Sequence, residues 1–354
     1  LSQIESVVQK KADEFLNDAT VKVKLLNFKI TIAGEVRNPG AYYNYNNTKQ
    51  NNAFNLYRTV LDTVFDNKTS MIFRNSSHGF KAGADFFINK SNTFGILING
   101  NLADNTFNND SRTPISYKPT GVVDRILVAN NRNNMNRDNV NFNLNYRFAD
   151  TAGHELNIDA DYGFFNNEMN QLQPNYYYTA GGNVLLSQVF YRFIAPTDID
   201  IYTLKADYEQ DFKKGKLGIG AKYSAINTAN NFKRYNVSQL SPEVRSLDVP
   251  RSNQFDYKEN IAAVYVNYNK QFKGVMFQAG LRLENTVSAG DSYGLNVDGS
   301  VNKGSIQTFD RNYTDLFPSA AITFNKNPMS QWGISYSRRI DRPAYQDLNP
   351  FEFK

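Results

Sequence analysis

Residues 140–148 alternate strictly between apolar and polar side chains, and this pattern constrains the fold more than any other feature. The apolar set is Val140, Phe142, Leu144, Tyr146 and Phe148, and the polar set is Asn141, Asn143, Asn145 and Arg147. Because a β-strand turns successive side chains to opposite faces, one face is apolar and aromatic while the other carries amides and charge. A soluble sheet would turn the apolar face to a core. An outer-membrane barrel would turn it to lipid and the polar face to a water-filled lumen.

The same alternation recurs along most of the chain after residue 41 and predicts a long series of strands. The predicted strands are residues 41–48, 77–89, 93–105, 137–149, 154–167, 199–211, 216–229, 258–270, 275–288, 315–326 and 330–340. Several carry carboxylates on the polar face, Asp159 and Asp161 among them, so this face must be hydrated. Little helical periodicity remains after residue 40 to cover the apolar face, which favours a membrane barrel.

The predicted connections alternate short with long. The short ones are rich in Asn, Asp, Lys and Gly, as hairpin turns are: residues 89–92, 150–153, 212–215, 270–274 and 325–329. Four long polar stretches are predicted to be loops: residues 106–136, 168–198, 230–257 and 289–314. Short periplasmic turns and long extracellular loops are the usual layout of an outer-membrane barrel.

The composition excludes several other classes of protein. The 354 residues include no cysteine, which excludes disulfides and Cys-type metal sites. The two histidines, His78 and His154, are too few for a His-rich metal centre and are interpreted as rim residues. No apolar run approaches the roughly 20 residues of a membrane helix, which leaves the barrel as the membrane-spanning option. The net charge of +5 comes from scattered Lys and Arg, so no nucleic-acid partner is expected.

No motif of a known catalytic centre is found, so no enzymatic activity, cofactor or metal is expected and no ligand-binding residue is assigned. Asp198 and Asp200 could bind a cation, but solvated carboxylates at a loop end fit the pattern better. Gly218-Ile219-Gly220 indicates tight packing inside a strand. The tyrosines at residues 176–178 are expected in a loop, where they either stack on a ligand at the mouth or anchor the rim.

Residues 1–41 have the pattern of a short α+β segment rather than of a barrel. The predicted elements are an amphipathic helix at residues 1–16, strands at residues 21–25 and 28–32, and a turn at residues 34–40. The chain begins at Leu1 without the charged and apolar regions of a signal peptide, which predicts a mature form or an internal fragment.

Residues 42–354 resemble part of the barrel of a TonB-dependent outer-membrane receptor, of the type abundant in Bacteroidetes. The specific stretches are FQAGLRLE at residues 277–284, FPS at residues 317–319 and SYSRRIDRPAYQDLNPF at residues 335–351. The resemblance implies uptake of a bulky nutrient such as a glycan, siderophore or peptide. It also implies contact with outer-membrane lipid and lipopolysaccharide, and coupling to TonB through a plug domain that is absent here. The barrel would be truncated, with half of the approximately 22 strands of such receptors.

Residues 1–41 resemble a different family. GEVRNPGAY at residues 34–42 is similar to the turn that opens the small β-grasp (SLBB) module of outer-membrane polysaccharide export proteins. The alternative function is therefore a part in polysaccharide export or capsule secretion. The two resemblances meet within a few residues, which predicts a chain joined from two proteins, with a genuine fusion as the alternative. Both place the chain in the outer membrane of a Gram-negative bacterium, as an all-β, partial transmembrane antiparallel barrel preceded by the α+β segment.

Overall fold

The computed structural model describes residues 20–28, 36–327 and 330–351, and most of them form one antiparallel sheet. The strands in these ranges are β1 (Thr20–Phe28), β2 (Val36–Val60), β3 (Thr63–Phe87), β4 (Asn92–Tyr117), β5 (Val122–Ala149), β6 (Glu155–Thr179), β7 (Leu185–Phe212), β8 (Gly215–Leu240), β9 (Glu243–Leu247), β10 (Asn253–Phe272), β11 (Val275–Leu295), β12 (Val301–Asn327) and β13 (Ser330–Ser337). They pair in chain order, except that β8 pairs with both β9 and β10. The predicted all-β antiparallel fold is confirmed, and the described sheet is open, with β1 and β13 at its edges.

The N-terminal part of the described chain joins the same sheet. β1 pairs with β2, and β2 runs through residues 36–40, so the turn predicted there is wrong for these residues. The ladder between β2 and β3 skips residues 38 and 39, because proline at position 39 has no N–H to donate. The predicted helix at residues 1–16 lies outside the described residues, and the division of the chain at residue 41 stays a prediction.

The strands are much longer than predicted. β2 to β8 contain 25 to 28 residues each, and every predicted strand overlaps one of them or a later strand. The short turns predicted at residues 89–92, 150–153, 212–215 and 270–274 are confirmed, and the structure has them at residues 88–91, 150–154, 213–214 and 273–274. The turn predicted at residues 325–329 lies partly outside the described residues. The long loops are wrong, since the actual turns at the opposite rim are residues 61–62, 118–121, 180–184 and 296–300. Polar side chains on both faces suggested loops, but the main-chain ladder of each hairpin continues regardless of side-chain polarity.

A short insertion and two turns of helix complete the described structure. β9 folds back on the end of β8, and a 3-10 turn at Val249–Arg251 leads into β10. A second 3-10 turn lies at Tyr345–Leu348. Within the described ranges, no helix is both long enough and apolar enough to cross a membrane.

One face of the sheet, called the apolar face below, carries the apolar residues of the alternation. A cross-strand row on this face contains Ala84, Ile96, Leu144, Ala160, Leu204, Tyr223 and Ala262. Leu144 and Leu204 are 51% and 55% exposed, although burial of such side chains is normally favourable. An exposed apolar face of this kind is the arrangement that the sequence predicts for an outer-membrane barrel.

The apolar residues form a band that covers only part of each strand. On β4 they occupy alternate positions from Phe94 to Leu102, and on β5 from Val140 to Phe148. About nine residues span roughly 30 Å along a strand and about 21 Å along the normal of the membrane at a tilt of about 45°. This height suits the hydrocarbon core. The 26 residues of β4 span roughly 86 Å, so the strands project far beyond the band at the rim opposite the short turns.

The opposite face, called the polar face below, carries amides and charges at the height of the band. One cross-strand row contains Asp85, Gly95, Asn145, Asp159, Lys205, Lys222, Ala263, Glu284 and Asp315. In a neighbouring row of the same face, Asn143 donates a 2.7 Å hydrogen bond to the carboxylate of Asp161, which lies opposite it. A face with this many ionisable groups requires water or internal partners.

Candidate functional site

A concave part of the polar face lies just above the apolar band. It has a volume of about 660 Å³ and is formed by β3, β4, β5 and β6. Its amide side chains are Asn75, Asn101, Asn105, Asn133, Asn139 and Asn167, and its apolar ones include Phe73, Phe107, Phe165 and Met135. We call this region the asparagine cleft. All of these residues occupy odd positions, as Asn143 and Asp161 do at the height of the membrane, so they share the polar face.

The register of the strands alternates rings with amides across the cleft. Phe107 lies opposite Phe73 on one side and Asn133 on the other. Asn139 lies opposite Phe165. Since directly opposed side chains in an antiparallel pair are neighbours, each aromatic ring has an amide or another ring beside it. The result is a surface in which flat apolar patches alternate with hydrogen-bonding groups.

Several amide oxygens of the cleft have no hydrogen-bond partner within the protein. Asn75 donates from Nδ2 to Oδ1 of Asn105 at 2.6 Å, but its own Oδ1 is buried without a partner. Oδ1 of Asn133 is likewise buried without a hydrogen-bond partner. Further up the same face, Asn109 lies opposite Asn131, and both have partnerless buried oxygens. A buried amide oxygen is costly when no group donates to it, and these four oxygens are not exposed at the surface of the cleft.

The cleft has one charged side chain on its own face, Arg137. Asp138 also borders the cleft, but its even position turns its side chain to the apolar face. Nε of Arg137 donates to Oδ1 of Asn167 at 3.2 Å, which directs part of the guanidinium to an amide rather than to an anion. The cleft therefore presents amide groups together with the guanidinium of Arg137.

A second group of polar residues holds the chain that follows β13. The β12–β13 ladder ends at Ser319 and Ser337, and the carbonyl of Pro318 accepts one last hydrogen bond from Arg338. Proline has no N–H with which to continue the ladder. Residues 338–351, called the C-terminal segment below, then cross the polar face of β12, β11 and β10 in turn.

Contacts along the C-terminal segment follow this direction. Arg338 donates to Oδ1 of Asp315 on β12 at 2.6 Å. The ring centroid of Tyr345 lies 6.3 Å from that of Tyr257 on β10. Nδ2 of Asn253 donates to Oδ1 of Asn349 at 3.4 Å. Asn253, which this segment contacts, is 1% exposed.

Four charged residues form the centre of this contact, and we call them the charged cluster: Glu259, Arg282, Glu284 and Arg342. Arg282 binds the Glu284 carboxylate through Nε at 2.9 Å and Nη2 at 2.6 Å. Arg342 donates to the other oxygen of Glu284, and its Nε lies 3.7 Å from Oε1 of Glu259. The hydroxyl of Tyr257 donates to Glu259 at 2.5 Å. Two positive and two negative charges neutralise one another, so the cluster anchors the segment and leaves no net charge for a ligand.

The predicted packing role of the Gly218–Gly220 run is confirmed. A Cβ atom on Gly220 would lie 2.3 Å from the ring of Tyr265, and one on Gly218 would lie 2.2 Å from Oδ1 of Asn267. Because position 220 has no side chain, the Tyr265 ring can lie across β8. Its hydroxyl then donates to Asp207 on β7 at 2.6 Å. The glycines thus serve the polar face and not a phosphate or cofactor.

The histidines have different environments. His154 closes the β5–β6 turn, as a rim residue should, and its Nδ1 donates to Oδ2 of Asp150 at 2.7 Å. Hydrogen bonds from the His154 side chain and backbone lower the pKa of Asp150. His78 is not at a rim: it lies inside β3, where its Nδ1 is 2.7 Å from the Tyr42 hydroxyl. Its strand begins fourteen residues earlier than predicted, and this places the histidine in mid-strand.

The two aspartates and the tyrosine run are also in strands rather than in loops. Asp198 accepts from Nδ2 of Asn166 and Asp200 accepts from the Tyr162 hydroxyl, each at 2.7 Å, so both carboxylates already have donors on β6. Residues 176–178 lie in β6, and the Tyr176 ring meets Phe190 edge-on at 5.3 Å. The loop positions predicted for these residues are therefore wrong. Among the described residues, no group of three or more His, Asp or Glu side chains could hold a metal ion.

The sequence assigns no binding residue, although a signal for the asparagine cleft is present. Asparagine recurs at odd positions of residues 99–109 and 131–145, with Phe107 among them. These positions share a face only if the strands continue past the apolar band. Predicting loops there conceals the common face.

A family model agrees with this architecture. The model of a family described as "Outer membrane protein beta-barrel family" matches residues 147–354, which is more than half of the chain. No curated protein matches the chain. A similar solved structure is the crystal structure of the outer membrane protease OmpT from Escherichia coli, with 11% identity and a TM-score of 0.28. That match covers 90% of this chain and 97% of the other.

Proposed function

This chain belongs to the outer membrane protein beta-barrel family, and we propose that it is part of a transport barrel for uptake of a bulky nutrient. It is a protein of the outer membrane. The observation that carries the proposal is the asparagine cleft, which is concave, polar and on the face turned away from lipid. A ligand captured there is already at the level where the strands enter the membrane.

The finer form of the proposal is TonB-dependent uptake. The resemblance at residues 277–284 and 335–351 supports it, with a glycan, siderophore or peptide as the nutrient. In this proposal TonB acts through a plug domain, and outer-membrane lipid and lipopolysaccharide cover the exposed apolar face. The protein performs no chemical step on its cargo. In this proposal, the nutrient passes along the polar face of the sheet.

Ion selectivity of the full chain in planar lipid bilayers tests the transport role. Lys222 lies on the polar face at the height of the band, opposite Lys205. Lys222→Glu should shift the reversal potential in a salt gradient toward cations, because charges along a pore select the permeating ion. Lys258→Glu is the matched control, since Lys258 is exposed on the opposite face of β10. Absence of conductance, or equal shifts from both variants, would contradict transport along the polar face.

A further inference from the structure

We propose that a cavity at the lower end of the polar face, near the short turns, binds a carboxylate group of the transported nutrient. This inference rests on the proposed uptake function and names the chemical group by which the nutrient is recognised. It follows from a hollow formed by small side chains, from the polar groups around it and from the arginine at position 339.

The cavity lies where short side chains meet on neighbouring strands of the polar face. Gly280 on β11 lies between Asn267 on β10 and Ser319 on β12. Ser319 in turn lies opposite Ser337 on β13. One step nearer the turns, the same four strands contribute Asn269, Gln278, Ala321 and Ser335. Because glycine, alanine and serine fill little space, the surface is hollow there, and its volume of about 480 Å³ is typical of small-molecule sites.

The hydrogen-bonding groups around this hollow are accessible to a ligand. Asn267 and Gln278 are exposed on one side of it, and Ser335 and Ser337 are exposed on the other. Amide N–H and hydroxyl groups donate hydrogen bonds, and an ionised carboxylate only accepts them. The cavity therefore surrounds its ligand with donors that suit a carboxylate.

Arg339 supplies a positive charge at the cavity. The other two arginines of the C-terminal segment have acidic partners, since Arg338 binds Asp315 and Arg342 binds Glu284. In contrast, Arg339 lines the cavity, is exposed and forms no ion pair with another described residue. Its planar guanidinium is free to form two parallel hydrogen bonds with a carboxylate.

The charge of the cavity fits a ligand group with a single negative charge. Glu209 also borders the cavity, but its carboxylate accepts a 2.5 Å hydrogen bond from Nζ of Lys216, and this pair is neutral. Arg339 then leaves one positive charge, which a carboxylate neutralises. A phosphate dianion would bring a second negative charge close to Glu209. All three nutrient classes of the proposed function can carry a carboxylate: a peptide, an acidic glycan and a siderophore.

Isothermal titration of the full chain in detergent micelles tests the proposal. The probes are N-acetylated trialanine, trigalacturonate and citrate, each compared with its own neutral amide, and inorganic phosphate. At least one carboxylate probe should bind, and its amide and phosphate should bind more weakly by about tenfold or more, the loss expected for one charge-assisted hydrogen bond. Added salt should raise the Kd because it screens exposed charges. The carboxylate probe that binds most tightly identifies the source of the group.

Two variants of the cavity should weaken this binding. Arg339→Met should raise the Kd of the carboxylate probe by about tenfold or more, since it removes a charged donor. Ser337→Ala should raise it by between about twofold and tenfold, the range for a neutral hydrogen bond. Urea unfolding midpoints check that each variant is folded.

Arg311→Met is the matched control because it removes the same charge from an exposed position of the same face. Arg311 is eight residues from Ser319 along β12, or about 26 Å, which is well beyond the distance at which salt screens a charge. The control should therefore leave the Kd nearly unchanged. Failure of every carboxylate probe to bind, equally tight binding of the amides or of phosphate, or equal effects of Arg339→Met and Arg311→Met would overturn the proposal.

The two proposals fail separately. If Lys222→Glu shifts the selectivity of the conductance but no carboxylate probe binds, the transport role stands and the assignment of the cavity is wrong. If a carboxylate probe binds and Arg339→Met weakens it, but the bilayer shows no conductance, the carboxylate site stands and the transport role is wrong.

Discussion

The two ends of strand β5 differ in sequence although they have the same backbone structure. Residues 140–148 alternate apolar with polar side chains, whereas residues 130–134 read Asn-Asn-Arg-Asn-Asn and are polar on both faces. Both parts pair with β4 and β6 without interruption of the β4 ladder. Alternation therefore marks the part of a strand that meets lipid, and it does not mark where the strand ends.

The physical reason lies in the two solvents. In lipid, every backbone N–H and C=O must be paired within the sheet and the outward side chains must be apolar. Outside the bilayer, backbone hydrogen bonding still stabilises the sheet, but the side chains need not be apolar because water solvates polar side chains on either face. Beyond the apolar band, the side chains on this face of the sheet are polar and form hydrogen bonds between strands. For example, Asn130 and Arg132 on β5 donate to Asp110 on β4 at 2.8 and 2.6 Å.

Arginine placed at two heights of this face should have very different effects. Leu144→Arg puts a charge at the height of the membrane and should cost about 2–4 kcal/mol of folding free energy. Asn134→Arg, ten residues up on the same face, should cost less than about 0.5 kcal/mol because it meets water. Urea unfolding in liposomes measures both. Quenching of Trp332, the single tryptophan and 73% exposed on the apolar face, by brominated lipid reports insertion.

Asn143→Arg is the control for Leu144→Arg on the other face. Its side chain turns to the polar face beside Asp161, so insertion and stability should be close to those of the unchanged chain. Equal tolerance of arginine at positions 143 and 144 would show that the apolar face does not meet lipid.

The charged cluster shows how the polar face accommodates charge at the height of the membrane. Arg342→Met removes donors from Glu284, which is 6% exposed, and should destabilise the protein by about 1.5–3 kcal/mol. The residual contact of Glu284 with Arg282 limits the loss. Arg339→Met changes an exposed residue of the same segment and should have little effect on the unfolding midpoint. Similar midpoints for the two variants would mean that the cluster does not anchor the segment.

Substitution of glycine by alanine should have different effects on stability in β8 and in β13. Gly220→Ala forces the Tyr265 ring from its position and should cost about 1–3 kcal/mol, as overpacking does. Gly333→Ala places its Cβ 3.6 Å from Oγ1 of Thr323, an ordinary contact, and should be neutral or slightly stabilising. Thermal unfolding of the two variants gives the comparison, and a stabilised Gly220→Ala would contradict the close packing.

The smallest effect on stability is expected from a substitution of Asp150 in the β5–β6 turn. The lowered pKa of Asp150 means that its contribution to stability is complete above its ordinary value of 3.8 and is lost as the pH falls through the lower folded value. Asp150→Asn keeps an oxygen acceptor but does not titrate, so it should flatten this acid dependence. NMR titration of the turn measures it. An Asp150 carboxyl that titrates at or above 3.8 would contradict the prediction.

The sequence patterns correctly located the parts of the strands at the height of the membrane, where one face must be apolar. Alternation predicted each membrane-height segment, for example residues 140–148, and the glycine- and asparagine-rich turns at that rim. It failed for residues 106–136, because loss of alternation was interpreted as loss of strand. The asparagine cleft and the C-terminal segment were not predicted, since each depends on which strands are neighbours and on their register.

The amino-acid sequence by itself determined the class of this protein and its apolar face, since strand periodicity and the cost of burying charge are local properties of the chain. The tertiary structure alone decided that the strands continue far beyond the membrane. It also decided that Phe73, Phe107 and Asn133 meet in one cleft, and that Arg342 reaches Glu284. These contacts join residues from different strands, and cross-strand register is a property of the assembled sheet that no single segment encodes.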